Sequence, residues 1–380
     1  MSSAENEPIA LWSRVGGARE PLAALSVETR AHAIAEACSA LRRPDAEQVA
    51  LLSRSSGLSE PMVRWALDTT FAAFSEEALL ALARTAGQAR ARGVAVVLAG
   101  NVLTAAARPM LLPLLAGVPV VAKASSRDDA LPHAIAAAVS QAHPDIGMAC
   151  AAATFGHGDA PRLGALLSGG DCVQVLGSDE AVAAVREQLR ADQTLIGRGH
   201  GLGLGLVARG ALELSADAFA LDIAAYDQRG CLSPHAILVE GSDAQAEQLA
   251  DALYEALARR ERDMPRGALP VEAAAEQLQW RGVAAARGSL RASEAFAVSC
   301  EHGAGLRPSP GYRNVSVYSL ASVASLAERV APLSRYLKAL GVAGQADPEE
   351  IAPYTCPASR MQAPPLDAWL DGLHPLAGFA

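Results

Sequence analysis

A chain of 380 residues that is 51% hydrophobic and 19% charged is too apolar to stay disordered and too long for one core, so it reads as a globular protein of two or more domains. Its net charge of -9 excludes general attraction to phosphate backbones or anionic lipid and argues against a nucleic-acid partner, while leaving room for a local basic pocket that holds a phosphorylated cofactor. The six cysteines (Cys38, Cys150, Cys172, Cys231, Cys300 and Cys356) form no CxxC pair, which predicts free thiols and no metal centre; Cys300 with His302 comes nearest to a ligand pair.

The N-terminal MSSAENEPIALWSRVG lacks a basic segment followed by an apolar run, so no secretory leader is expected. From about Glu20 to Ala91 the apolar residues recur at three- and four-residue spacings, which predicts a helical region over residues 1–90; Ser59-Glu60-Pro61 marks one helix start. The most apolar region, Val94 to Ala122, is interrupted by Asn101, Arg108, Pro109, Pro113 and Pro119 and is unsuited to a membrane span. A cytoplasmic protein is expected.

VAVVLAGN, TAAARPMLLPLLAG and VPVVAK then read as strand, helix, strand, the unit of a parallel sheet whose ligands gather at the carboxyl ends of the strands. Asn101 and Lys123 stand at two such ends. The alternation continues through DCVQVLGS and DEAVAAVREQLR, so residues 91–199 form a doubly wound α/β domain. A second α/β unit over 200–345 follows less regularly, with the helix SADAFALDIAAYDQ, the strand HAILVE, strands near AFAVSC and NVSVYS, and a predicted amphipathic helix over 321–341. Residues 346–380 are proline-rich and read as an extended tail on the surface.

The glycines from Gly199 to Gly205 do not match the one, three, six spacing of a dinucleotide fingerprint and read better as a strand closely approached by another backbone. His200 beside them is either a proton carrier or a hydrogen-bonded turn residue. In YDQRGCLSP, Cys231 occupies a loop between a helix and a strand, where a nucleophile would sit, although core filling is the commoner fate of a cysteine. Asn101 could donate to an oxyanion or merely turn the chain, Lys123 could be a solvated strand end, and Ser125, Ser126 and Arg127 could hold a phosphate or begin a loop.

Taken in order, VLAGNV, VVAKASS, VLGSDEAV, GHGLGLGL and YDQRGCLSP resemble the aldehyde dehydrogenase superfamily, and the last motif, with RNVSVYSL, SRYLKALGV and APPLDAWLDG, resembles the LuxC-type acyl-CoA reductases. The likeness runs from about residue 90 to the C-terminus. It implies an aldehyde-dehydrogenase-like fold, with 91–199 as the NAD(P)-binding domain and 200–345 as the catalytic domain. It implies Cys231 as nucleophile, Asn101 as oxyanion donor, Lys123 as ribose ligand, and Gly177 with Ser178 near the cofactor phosphates.

Two departures from the superfamily pattern refine this. His200 stands where aldehyde-oxidising members carry a general-base glutamate, which favours exchange with coenzyme A over hydrolysis. Ser126 and Arg127 follow Lys123 where many NAD-using members carry a glutamate, so NADPH is the expected cofactor. The implied reaction is NADPH-dependent reduction of a long-chain fatty acyl-CoA to the aldehyde through a cysteine thioester. Alternatives are an acyl-carrier-protein substrate, a CoA-acylating aldehyde dehydrogenase, and a catalytically silent scaffold of the same fold. A homo-oligomer is expected from the superfamily.

Overall fold

A computed structural model describes residues 7–85, 87, 90–156, 158–303, 305–348 and 351–379; the leader reading falls in part on residues 1–6, outside the described residues. Six helices open the chain: α1 (Pro8–Gly17), α2 (Arg19–Ala24), α3 (Val27–Leu41), α4 (Ala46–Ser56), α5 (Glu60–Ala72) and α6 (Glu76–Arg84). Their ends are written locally. Asp45 and Gln48 form a reciprocal capping box on α4, Ser26 and Ser75 cap α3 and α6, and Gly57 closes α4 in a left-handed turn. The apolar faces, including Ile34, Met62, Leu67 and Phe71, are buried in one core with the next layer.

That layer contains β1 (Val94–Val97), α7 (Ala107–Leu115), β2 (Val120–Ala124), α8 (Ala130–Ala142), α9 (Pro144–Met148), β3 (Cys150–Thr154), α10 (Ala160–Ser168), β4 (Cys172–Leu176), α11 (Asp179–Arg186) and β5 (Thr194–Arg198). The sheet is parallel in the order β3-β2-β1-β4-β5. Helices cover both faces, so β1 to β4 read as nearly continuous apolar runs, interrupted by Lys123, Thr154 and Gln174. The order reverses between β1 and β4, which opens a crevice at their carboxyl ends.

The second layer set runs β6 (Leu202–Val207), α12 (Leu212–Ala224), β7 (Pro234–Glu240), α13 (Asp243–Asp263), α14 (Val271–Arg287), β8 (Gly288–Ala292), β9 (Ala297–Glu301), β10 (Asn314–Leu320), α15 (Leu326–Val330), β11 (Leu337–Ala343) and β12 (Tyr354–Pro357). Its seven strands lie in the order β12-β11-β6-β7-β10-β9-β8, parallel except for the β8–β9 edge pair. Among the described residues no helix is long and apolar enough to cross a membrane.

Two expectations change. The helix predicted over 321–341 is only α15 followed by a 3-10 stretch, Ala331–Tyr336. Pro332 cannot continue an α-helix, and LKALGVA is instead β11, held between β6 and β12 with Leu337, Ala339 and Leu340 buried. Short apolar runs satisfy helix and strand spacings alike, so pairing decided the outcome. The C-terminal segment, expected on the surface, contributes β12 and buries Met361, Leu366, Leu376 and Phe379.

Candidate active site

The loop that carries Cys231 is backbone under constraint. After α12, Tyr226, Asp227 and Gln228 adopt φ of 53°, 53° and 60°, left-handed values that cost non-glycine residues roughly 1–3 kcal/mol each. Side-chain clamps offset that strain. The Tyr226 hydroxyl meets Thr104 Oγ1 at 2.8 Å and Thr70 Oγ1 at 3.0 Å. Asp227 accepts from Arg313 Nε at 3.0 Å and from the Gly267 N–H at 3.0 Å. Gln228 Nε2 donates to the carbonyls of Pro234 and Asn314, both at 2.8 Å. Arg313 is itself buried and also pairs with Glu261 at 2.6 Å, so the kink is anchored in the second core.

The glycines of β6 complete the seat. A Cβ at Gly203 would collide with the carbonyl oxygens of Leu232 and Ser233, so the close backbone approach expected of this run is made to the Cys231 loop itself.

Of the six cysteines, all described, five are buried and Cys231 is exposed. Burial lifts the thiols of Cys150, Cys172, Cys300 and Cys356 to about 12 and that of Cys38 higher still. Cys231 faces solvent yet lies deep between protein walls, and desolvation lifts it to about 11. Asp371 adds to the rise, while Lys338 and Arg198 oppose it.

Cys231 lines a cleft of about 240 Å³ shared with Asn101, Gly177, Arg198, Lys338 and Asp371. Asn101 follows β1, and its Nδ2 donates to the Arg229 carbonyl at 3.3 Å, which fixes the amide against the cysteine loop. Asp371 comes from the C-terminal segment and bridges Arg198 (2.8 Å) and Lys338 (2.6 Å). Arg108 holds that segment, donating to the carbonyls of Pro364, Pro365 and Leu366 at 2.9, 2.7 and 3.0 Å. Sequence reasoning did not single out Arg198, Lys338, Asp371 or Arg108 as site residues. Arg198 directly precedes the glycine run and could have been noticed, whereas Lys338 was read into a helix and Asp371 into a surface tail.

The remaining candidates lie at the sheet's carboxyl ends. Lys123 is buried at the end of β2; burial lowers its pKa, its Nζ donates to the Ala124 carbonyl at 3.3 Å, and the ammonium stands 5.2 Å from the centre of the Phe155 ring. Ser125 Oγ accepts the Arg127 N–H at 3.2 Å, and Ser126 is exposed beside it. A Cβ at Gly177 would stand 3.2 Å from that of Ala181, and Ser178 Oγ accepts the Ala181 N–H at 3.2 Å as the cap of α11. His200 is not among the residues lining the thiol cleft. It lines an adjoining recess of about 250 Å³ with Asp179, Arg335 and Lys338, and its Nδ1 accepts from the Asp179 N–H at 3.4 Å.

The two-sheet architecture, one sheet with a reversed strand order, is that of aldehyde dehydrogenases of known structure. An NAD-dependent aldehyde dehydrogenase from Sinorhizobium meliloti matches with a TM-score of 0.70 at 18% identity, covering 93% of this chain and 80% of that one. Aldehyde dehydrogenase 21 from Physcomitrella patens, solved with its product succinate, matches with a TM-score of 0.74 at 13% identity over 94% and 83% of the two chains. An NAD-dependent benzaldehyde dehydrogenase from Corynebacterium glutamicum matches with a TM-score of 0.74 at 16% identity over 92% and 85%. The family model for acyl-CoA reductase (LuxC) matches residues 84–353, and the chain belongs to that family. It is accordingly an oxidoreductase acting on acyl or aldehyde groups. No curated protein sequence matches it.

Proposed function

We propose that the protein reduces a long-chain fatty acyl-CoA to the aldehyde, with NADPH as reductant and Cys231 as the acyl carrier. The observation that carries this reading is the exposed Cys231 on its clamped loop with Asn101 in the same cleft. We take the five-stranded sheet as the cofactor half and the seven-stranded sheet as the catalytic half.

The residues present fit a nicotinamide dinucleotide. Lys123 is a buried ammonium whose one hydrogen bond goes to its neighbour's carbonyl, so two donors remain for ribose hydroxyls. Gly177 supports close approach of a diphosphate at the turn into α11, with Ser178 alongside. Ser125, Ser126 and Arg127 directly follow β2 and place no carboxylate at these three positions, while Asp128 behind them is buried and accepts from Ser55 Oγ at 3.2 Å; this arrangement supports room for a 2'-phosphate. When bound, the cofactor supplies the hydride.

The chain's own part follows from the thiol. Cys231 as thiolate adds to the thioester carbonyl carbon, and Asn101 Nδ2 with the Cys231 backbone N–H stabilises the oxygen that gains charge. The carbon–sulfur bond to coenzyme A breaks and the electron pair leaves with that sulfur, so the acyl group is now on Cys231. Two electrons and two protons, one of them delivered with the electrons as hydride and the other drawn from solvent, convert this thioester to a thiohemiacetal, which releases aldehyde and restores the thiol. A serine ester in its place would be a poorer hydride acceptor, because its carbonyl is more strongly resonance-stabilised. We assign His200, in the recess that shares Gly199 and Lys338 with the cleft, to the departing coenzyme A sulfur.

Intact mass after mixing the protein with a long-chain acyl-CoA in the absence of reductant tests this. The wild type should gain one acyl group and lose it as aldehyde on addition of NADPH, whereas Cys231→Ala should gain none. Acylation of Cys231→Ala equal to wild type would remove the assignment. Acylation of wild type from an acyl carrier protein but from no CoA ester would move the donor.

A further inference from the structure

Cys300 and His302 are two residues apart at the end of β9, so their side chains leave the same face of the sheet. Asp243 and Glu247 are four residues apart in the first turns of α13, so theirs leave the same face of the helix. Packing that helix face on that strand face brings the four side chains together. The Cys300 sulfur, a His302 ring nitrogen and a Glu247 carboxylate oxygen all lie within 4.8 Å of one another. None of the four lines the Cys231 cleft or the His200 recess.

Their surroundings are ordered as the outer shell of a metal site is ordered. His302 Nε2 meets Glu247 Oε1 at 3.1 Å, while its Nδ1 faces Asp243 Oδ2 at 3.6 Å. A carboxylate behind the far ring nitrogen is the arrangement that orients a ligating histidine. Ser289 Oγ reaches both carboxylate oxygens of Glu247, at 2.7 and 2.9 Å, and Arg291 NH2 donates to Oε2 at 2.8 Å, which fixes the carboxylate with Oε1 beside His302. His302 is exposed, so a fourth position is open to water.

We propose that Cys300, His302 and Glu247 form a site for a thiophilic divalent cation of the Zn²⁺ class, with Asp243, Ser289 and Arg291 as its outer shell, pinning the start of α13 to the β8–β9 edge of the sheet. One thiolate, one imidazole and one carboxylate suit zinc better than magnesium or calcium, which prefer oxygen alone. Binding releases the Cys300 proton to solvent, because the thiolate is the ligand. The spacing of Cys300 and His302 alone did not reach this conclusion, since the third ligand is more than fifty residues away in the chain.

The test uses the full-length protein freed of metal by dialysis against chelator, with Co²⁺ as a spectroscopic probe and Zn²⁺ for thermal unfolding. Wild type should bind one equivalent of Co²⁺ with near-ultraviolet thiolate-to-cobalt absorption, and Zn²⁺ should raise its Tm. Cys231→Ala should keep both, which separates this site from the exposed thiol. Cys300→Ser should lose the absorption, His302→Ala should bind at least about tenfold more weakly, and Asp243→Ala about 10- to 100-fold more weakly. Should Cys300→Ser fold poorly, His302→Ala decides, because that side chain is exposed. No bound cobalt in wild type, absorption unchanged in His302→Ala, or absorption lost in Cys231→Ala would each overturn the proposal.

Discussion

At the scale of single residues, the reading of Cys231 turns on what surrounds it. Five thiols are buried, and the remaining one, also raised by desolvation, is exposed to the cleft on a strained loop beside Asn101. On the proposed role of Asn101 as oxyanion donor, Asn101→Ala should lower kcat on the order of 100- to 1000-fold with the fold intact, as steady-state kinetics with circular dichroism would show. Asp371 acts on the same thiol from the tail. Its negative charge favours the protonated form, so Asp371→Asn should lower the Cys231 pKa and speed alkylation by iodoacetamide up to about tenfold at mildly alkaline pH. Asparagine tolerates the φ of 56° at this position, so the change leaves the backbone in place. A rate profile against pH that does not move would show that Asp371 has no influence on the thiol. The places of Asn101 and Cys231 in the chain were legible because strand and helix ends announce themselves, and their proposed roles come from the family resemblance; Asp371 was not legible, because nothing local ties it to residue 231.

The elements explain why the loop stays where it is. Three left-handed residues in a row persist because Asp227 is tied to Arg313 in β10's approach and Gln228 to β7 and β10, so both parallel strands brace the kink. Asp222 on α12 does the corresponding work for the tail. It is buried, accepts the N–H groups of Ser359 at 2.6 Å and Met361 at 3.1 Å, and desolvation lifts its carboxyl to about 7. The unfolded carboxyl titrates near 3.8, so between about pH 4 and 7 the folded protein holds a proton that the unfolded chain has released. Its contribution to stability therefore falls as pH rises through that window. Asp222→Asn cannot titrate, and chemical denaturation from pH 4 to 8 should show a shallower loss of stability than wild type. The sequence marked α12 and its end near the cysteine, but β8 and β5 went unread, because short edge strands lack the buried alternation that signals a central one.

Over the whole molecule, the cleft is closed by parts distant in the chain: Asn101 from one sheet, Cys231 from the other and Asp371 from the tail. Arg108 on α7 links them by donating to three successive tail carbonyls, where a shorter side chain would reach none. Arg108→Ala should loosen residues 362–379, seen as faster amide hydrogen exchange there with core strands β1, β2, β6 and β7 unchanged; protection equal to wild type would mean that the buried Leu366, Leu376 and Phe379 suffice. What the sequence determined by itself was the α/β alternation, the family to which the chain belongs and the residue types at the strand ends, since these follow from periodicity and short motifs within one element. Tertiary structure alone decided that LKALGVA is a strand, that the tail enters the cleft, that His200 faces Asp179, and that Glu247 meets Cys300. Each of those outcomes depends on hydrogen-bond partners and packing surfaces supplied by residues far along the chain, which no local pattern encodes.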